Sequence, residues 1–453
     1  MAKAKKAFFC QNCGAQHPQW QGQCKACKEW NTLVEEIITP ADQTTSFKAP
    51  QTKNIPQSLV EIKADDHPRI LSQDPEMNRI LGGGFVPGAV MLLGGEPGIG
   101  KSTLLLQLSM QMGKKVLYVS GEESLQQIKL RADRLGLAAE HTFILSETDL
   151  GSIFSHLENI NPELIIIDSI QTLQTDRIDS GAGSVSQIKA CTAELIKLAK
   201  TTQIPIVLVG HITKEGQLAG PKILEHMVDT VLQFEGDRNH MYRIIRVQKN
   251  RFGATSELGI YEMQTEGLRP VTNPSELLLS QPREGLSGHA VVATIEGIRP
   301  LMIEVQALVS TAVYGTPQRS TTGFNTKRLN MLLAVLEKRA GFALATKDVF
   351  INIAGGLSLE DPALDLAVVA AILSSYLDVA IPAHCCFAAE VGLSGELRPV
   401  PKVDQRISEA AKLGFESIVV AGVGKQTLKH DTIKIHNFDK LADVLTFLFH
   451  QKK

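Results

Sequence analysis

The chain has 453 residues, 43% of them hydrophobic and 21% charged, with a formal net charge of −2. That length suits about three globular domains with apolar cores that need no covalent staples. The near-neutral balance excludes a molecule held to nucleic acid by its bulk charge, so any basic surface is local. No run of about 18 apolar residues occurs, and the basic start MAKAKKAFFC lacks the apolar stretch of a signal peptide. These features predict a cytoplasmic protein with no membrane partner, whose seven cysteines are thiols or metal ligands.

Residues 1–35 carry four of those cysteines, Cys10, Cys13, Cys24 and Cys27, as two C-x2-C pairs. Two thiolate pairs at this spacing supply a tetrahedral Zn²⁺ site. Gly14 follows the first pair, where a tight knuckle calls for positive φ. Four protein ligands leave no open position, so the zinc is structural and His17 is not needed as a ligand. Phe8, Phe9, Trp20, Lys25, Lys28 and Trp30 surround the pairs. Packing of a very small core and contact with DNA or a partner both account for them.

Residues 36–60 are polar and proline-bearing and are expected to be a linker. From 61 to about 275 the apolar runs AVMLLGG, KVLYVS, ELIIIDS, IPIVLVG, TVLQF and YRIIRV alternate with helical patterns. Continuous apolar runs bounded by glycine suit strands buried on both faces, so an α/β domain with a mainly parallel sheet is predicted.

Within it, MLLGGEPGIGKST runs from a strand through Gly95, Glu96, Pro97, Gly98, Ile99, Gly100, Lys101, Ser102 and Thr103 into a helix. This is a P-loop in its required context. The glycines let backbone N–H groups curl around the β-phosphate of ATP, aided by the helix N-terminus. Lys101 is expected at the β- and γ-phosphates and Ser102 on Mg²⁺. Asp168 closes ELIIID, where a carboxylate holds the same Mg²⁺. Glu122 and Glu123 follow VLYVS; a carboxylate there faces the ligand crevice and can orient the attacking water. Acids in a first helical turn are an alternative for this pair, and Glu122 is slightly preferred as the catalytic one. His211 ends VLVGH, where a γ-phosphate sensor and a structural histidine weigh about equally.

The P-loop, the SGEES box, GHITKEG with AGPKILEHMVD, and Lys249-Asn250-Arg251-Phe252-Gly253 together resemble RecA/DnaB-type ATPases. Within that group they are most similar to the RadA/Sms family of bacterial DNA-repair proteins. The resemblance covers nearly the whole chain. It implies a C4 zinc finger, a RecA-like P-loop ATPase core and a Lon-protease-like α/β domain over 286–453. It also implies a DNA-dependent ATPase that works beside the RecA recombinase. The implied substrates are single-stranded DNA and branched recombination intermediates, and the implied assembly is a hexameric ring. In such a ring Lys249 and Arg251, following the last ATPase strands, reach either a neighbour's γ-phosphate or DNA, since both targets are phosphates. Two glycine-bearing segments resemble RecA-type DNA loops: 175–189 with Arg177 and Lys189, and 213–222 with Lys214 and Lys222.

The tail departs from Lon chemistry, which needs a serine activated by a lysine. Leu364 stands at the serine position and Asp404 at the lysine position, so the tail is expected to be a scaffold without peptidase activity. Arg319, Lys327, Arg328, Lys338 and Arg339 offer it a basic face. An ATP-dependent peptidase and a nucleotide-switched binding protein are the competing functions. The first lacks its Ser–Lys pair, and the second has no use for KNRFG or a zinc finger.

Overall fold

The computed structural model describes residues 5–11, 14–38, 58, 68–211, 223–236, 242–255, 257–271, 275, 279, 285–297, 299–312, 317–354, 359–422 and 430–449. The chain divides into two compact units, Met1–Val271 and Thr272–Lys453.

The first unit opens with a ribbon of three antiparallel strands, β1 (Lys5–Cys10), β2 (Gln16–His17) and β3 (Leu33–Ile38), in the order β2-β1-β3. Its core is small, with Cys10, Cys24 and Leu33 buried together. Trp20 and Trp30 are 57% and 67% exposed, so they do not fill that core.

The rest of the unit is one nine-stranded sheet. Its strands are β4 (Val90–Gly95), β5 (Val116–Ser120), β6 (Thr142–Ser146), β7 (Leu164–Asp168), β8 (Ile206–His211), β9 (Thr230–Glu235), β10 (Tyr242–Asn250), β11 (Leu258–Gln264) and β12 (Gly267–Pro270). The order is β12-β11-β10-β9-β4-β8-β7-β5-β6. β4 to β9 run parallel, and β10 to β12 add an antiparallel meander. The apolar runs are continuous because alternate side chains feed two cores. Met91 and Leu93 face one core with Tyr118, Ile166 and Val209. Val90 and Leu92 face the other with Val119, Ile167 and Leu208.

Helices α1 (Pro75–Ile80), α2 (Lys101–Gln111), α3 (Leu125–Leu135), α4 (Leu150–Ile160), α5 (Val185–Thr202) and α6 (Ile223–Met227) accompany this sheet. Their starts follow local chemistry. Asp74, Asp149 and Ser184 accept first-turn N–H groups, and Ser124 forms a capping box with Gln127. α2 differs: Gly100 precedes it at φ 117 with no side-chain cap, which leaves the helix N-terminus facing the loop.

The second unit holds a seven-stranded sheet, with its strands numbered in chain order. They are β13 (His289–Glu296), β14 (Arg299–Thr311), β15 (Arg319–Thr322), β16 (Lys347–Ile353), β17 (Cys385–Ala388), β20 (Ser417–Ala421) and β21 (Lys434–Phe438), in the order β15-β16-β14-β13-β17-β20-β21. β18 (Glu390–Val391) and β19 (Leu397–Arg398) form a separate pair. Helices α7 (Thr326–Ala340), α8 (Leu364–Leu377), α9 (Val403–Lys412) and α10 (Leu441–Phe449) complete it. α8 is buried along its length from Leu364 to Ser374. No helix among the described residues is long and apolar enough to cross a membrane.

Candidate functional site

The parallel strands end level with one another. Gly95 of β4 pairs with His211 of β8, and Ser120 of β5 pairs with Asp168 of β7. The C-terminal crest therefore gathers the P-loop, the aspartate, the glutamate pair and the histidine, although they are up to 116 positions apart (211 − 95) in the chain. Ligands of open α/β sheets bind at this edge.

The loop backbone is shaped for phosphate. A Cβ on Gly95 would lie 2.7 Å from the Phe234 carbonyl oxygen, and one on Gly100 would lie 2.8 Å from Met263 Cε. The Gly95 space, closed by backbone, admits no side chain, and at Gly100 the φ of 117 disfavours one. Lys101 is only 4% exposed. Its ammonium donates to the Gly95 oxygen at 2.7 Å and the Glu96 oxygen at 2.9 Å, with His211 Nδ1 at 3.4 Å. Burial pulls this lysine down to about 8, against the opposing fields of Asp168, Glu122 and Glu96. Ser102 and Thr103, in the first turn of α2, are half-buried beside it.

Asp168 is held by Tyr118, whose hydroxyl donates to Oδ2 at 2.5 Å from inside the sheet. Burial and the Asp168 charge push the Tyr118 phenol well above its ordinary value, so it stays a donor. The two glutamates differ. Arg131 of α3 grips both carboxylate oxygens of Glu123. Glu122 is 47% exposed at the crest. Its Oε1 accepts from Ser169 Oγ at 2.7 Å and lies 3.3 Å from His211 Nε2. His211 thus spans the P-loop lysine and Glu122. An exposed carboxylate between a hydroxyl and an imidazole can polarise water, while one sealed by a guanidinium cannot. Buried Arg243 of β10 donates to the Ile99 oxygen at 3.1 Å, tying the meander to the P-loop.

KNRFG sits elsewhere and is not the end of the domain. Lys249 and Asn250 close β10, and β11 and β12 follow. Asn250 pairs with Thr230, which pairs with Met91 near the start of β4. The Lys249 ammonium donates to the carbonyls of Glu225, His226 and Val228 at 2.8, 3.3 and 2.8 Å, capping α6. Arg251 is 56% exposed and rests 3.5 Å from Asp229 Oδ1. That aspartate also accepts from Val90 N and Lys200 Nζ.

The expected DNA loop at 175–189 is tied down. Gln187, buried, donates to the carbonyls of Thr175, Ile178 and Ser180 and accepts from Thr175 N. Arg177 pairs with Glu194, and Lys189 lies within α5 with its ammonium 3.5 Å from the Gly14 oxygen. Lys214 and Lys222 fall outside the described residues, as does Cys13.

In the ribbon the thiols of Cys10, Cys24 and Cys27 lie within 4.8 Å of one another. The Cys10 and Cys27 sulfurs are 3.6 Å apart. Tetrahedral Zn–S bonds of about 2.3 Å separate sulfurs by roughly 3.8 Å, so the donor set fits zinc. His17 Nε2 is 3.4 Å from the Cys24 sulfur, with its other nitrogen taken by Gln21.

In the second unit Leu364 is fully buried as the first residue of α8, and Asp404 is exposed on α9. Between these segments runs a buried ion pair, Arg406–Asp361, at 2.6 Å. Burial pushes Asp361 up, but Arg406 and the N–H groups of Ala363 and Ile295 hold it below its usual range. Arg328 is clamped on buried Asp365 and does not join a basic face; Lys327, Lys338 and Arg339 remain exposed.

Comparison with known proteins agrees with this layout. The AAA domain family matches residues 56–217, a rubredoxin metal binding domain matches 8–35, and the family described as subunit ChlI of Mg-chelatase matches 303–423. The DNA repair protein RadA of Bacillus subtilis (strain 168) is 50% identical over 93% of both chains. The chain belongs to the RadA family of DNA repair proteins. RadA of Halalkalibacterium halodurans (strain C-125) is 46% identical over 98% of this chain and 99% of its own. The crystal structure of the RadB recombinase matches 45% of this chain and 99% of its own at 22% identity, with a TM-score of 0.37. The architecture expected from the sequence stands: a zinc ribbon, an AAA/RecA-like ATPase core and a ChlI/Lon-like α/β tail.

Three side chains at the crest escaped sequence reasoning. Tyr118 had a signal, because a tyrosine inside a fully apolar strand needs a partner for its hydroxyl. Ser169 and Arg243 had none.

Proposed function

We propose that this RadA-family ATPase is a DNA-stimulated motor that works with RecA on single-stranded and branched recombination intermediates, as a ring whose subunits complete one another's ATP sites. Lys101 serves the β- and γ-phosphates, and the N–H groups of 98–103 line the phosphate path. Ser102 and Asp168 hold Mg²⁺, whose charge offsets that of the phosphates when bound. Glu122 aligns and deprotonates the attacking water, and His211 links it to the γ-phosphate end of Lys101. Glu123 is structural, bound to Arg131.

One observation supports a role for Arg251 outside its own ATP site. KNRFG lies beside Met91, four residue steps before Gly95, and at ~3.3 Å a step that is roughly 13 Å short of its own P-loop. Exposed Arg251 therefore serves a phosphate outside its own site, on a neighbour or on DNA. Lys249, capping α6, holds the motif in place. In the tail, fully buried Leu364 supports the scaffold reading over peptidase activity.

The test is ATP turnover with and without single-stranded DNA. DNA should raise turnover, and Arg251→Ala and Lys101→Ala should each lack it. Mixing the two inactive variants should restore part of the activity if Arg251 acts on a neighbour. No restoration, with DNA binding weakened in Arg251→Ala, assigns it to DNA. Turnover indifferent to DNA would replace the motor by a nucleotide-switched binding protein.

A further inference from the structure

We infer that Ser169 is a positioning residue for ATP hydrolysis, acting through Glu122. The inference rests on Glu122 being the group that activates water. Ser169 is fully buried, yet its hydroxyl points to the crest and donates to Glu122 Oε1 at 2.7 Å. A glutamate on an exposed turn has three free torsions. Here a donor from the neighbouring strand end removes that freedom without adding charge.

The serine is itself held. The Thr172 hydroxyl donates to the Ser169 carbonyl oxygen at 2.8 Å, and the Thr172 amide donates to it at 3.2 Å. Thr172 also packs against the turn that carries Glu122, because a Cβ on Gly121 would lie 2.0 Å from Thr172 Oγ1. The Gly121 amide in turn donates to the Asp168 oxygen at 3.0 Å. The segment after β7 and the segment after β5 thus form one unit with a single adjustable member, the Glu122 side chain. The hydroxyl of Ser169 sets its angle, and the imidazole of His211 faces it from β8.

A neutral donor suits this task. A guanidinium in the same place would seal the carboxylate, as Arg131 seals Glu123. The hydroxyl leaves the negative charge available to water and fixes only its direction.

The experiment compares Ser169→Ala, Ser169→Thr, Glu122→Gln and the double variant Ser169→Ala/Glu122→Gln in the full chain. Turnover and nucleotide binding are measured separately, with thermal unfolding to confirm folding. Ser169→Ala should lower kcat by about ten- to a hundredfold with KM and nucleotide affinity unchanged. Ser169→Thr, which keeps the hydroxyl, should recover most of the loss. In the Glu122→Gln background the alanine should cost nothing further, because its effect passes through a group already removed. Equal losses in both backgrounds, or full turnover in folded Ser169→Ala, would overturn the inference while leaving Glu122 in its role. Full turnover in Glu122→Gln would instead overturn the reading of Glu122.

Discussion

The ATPase crest and the C-terminal unit are both α/β structures, and they treat charge in opposite ways. At the crest, two of the three carboxylates are steadied by neutral donors, Tyr118 on Asp168 and Ser169 on Glu122, and only Glu123 is closed by a guanidinium. The charge of the first two stays available. In the tail, charge is closed against charge: Arg406 on Asp361 out of water, and partly exposed Arg328 on buried Asp365. The segments that the sequence aligns with a Lon enzyme's nucleophile and lysine hold that internal pairing and buried Leu364. A polar group held by a neutral partner can still act on a ligand. One matched by an opposite charge inside the protein mostly specifies structure.

Lys101→Ala should abolish ATP turnover, by about a thousandfold or more, read as phosphate release; peptidase activity appearing in that protein would contradict the account of the tail. Arg406→Ala should cost the C-terminal unit about 3–5 kcal/mol, because it leaves Asp361 buried and unpaired. Denaturant unfolding measures this, and a loss under about 1 kcal/mol would mean the pair is better solvated than described. Tyr118→Phe keeps the volume but removes the donor to Asp168. It should cost about 1–2 kcal/mol in unfolding and weaken Mg²⁺ dependence of turnover.

Two further effects are in pH. Lys101 sits below its ordinary value of 10.5, near 8, chiefly through burial. The folded chain then binds this proton less firmly than the unfolded chain. The resulting penalty is full below about 8 and is relieved as pH rises toward 10.5. Phosphate favours the protonated lysine, so nucleotide affinity should fall above pH about 8, by calorimetric titration. Lys101→Arg, always charged, should lose that slope even if it binds weakly. Asp361 has the opposite sign. Its folded value lies below 3.8, so its contribution is present above that pH and disappears as pH falls through the folded value.

Much of this was legible in the sequence because it is local. A P-loop encodes its own strand, turn and helix in contiguous residues, and these came out as β4, the glycine loop and α2. The six apolar runs became strands β4, β5, β7, β8, β9 and β10. β6 was missed, because Thr142–Ser146 lies at the sheet edge and is only partly buried, which blurs its apolar signal. β11 and β12 were missed too, so KNRFG was expected after the last strands rather than inside the meander. The choice between Glu122 and Glu123 was illegible for another reason: it depends on Arg131, Ser169 and His211, which only the fold brings to those two residues. The same holds for Gln187, whose side chain pins a segment that composition alone marks as loose.

The ribbon's exposed aromatics have a practical consequence. The chain has two tryptophans, and both lie in that ribbon, Trp20 and Trp30. All of the indole emission of this protein therefore comes from the cysteine-bearing ribbon and none from the ATPase core. Stripping the metal with a chelator should shift that emission as the ribbon loses its shape, while the ATPase core stays silent in the same spectrum. A single cuvette then separates what happens to one end of the molecule from what happens to the other, without a label.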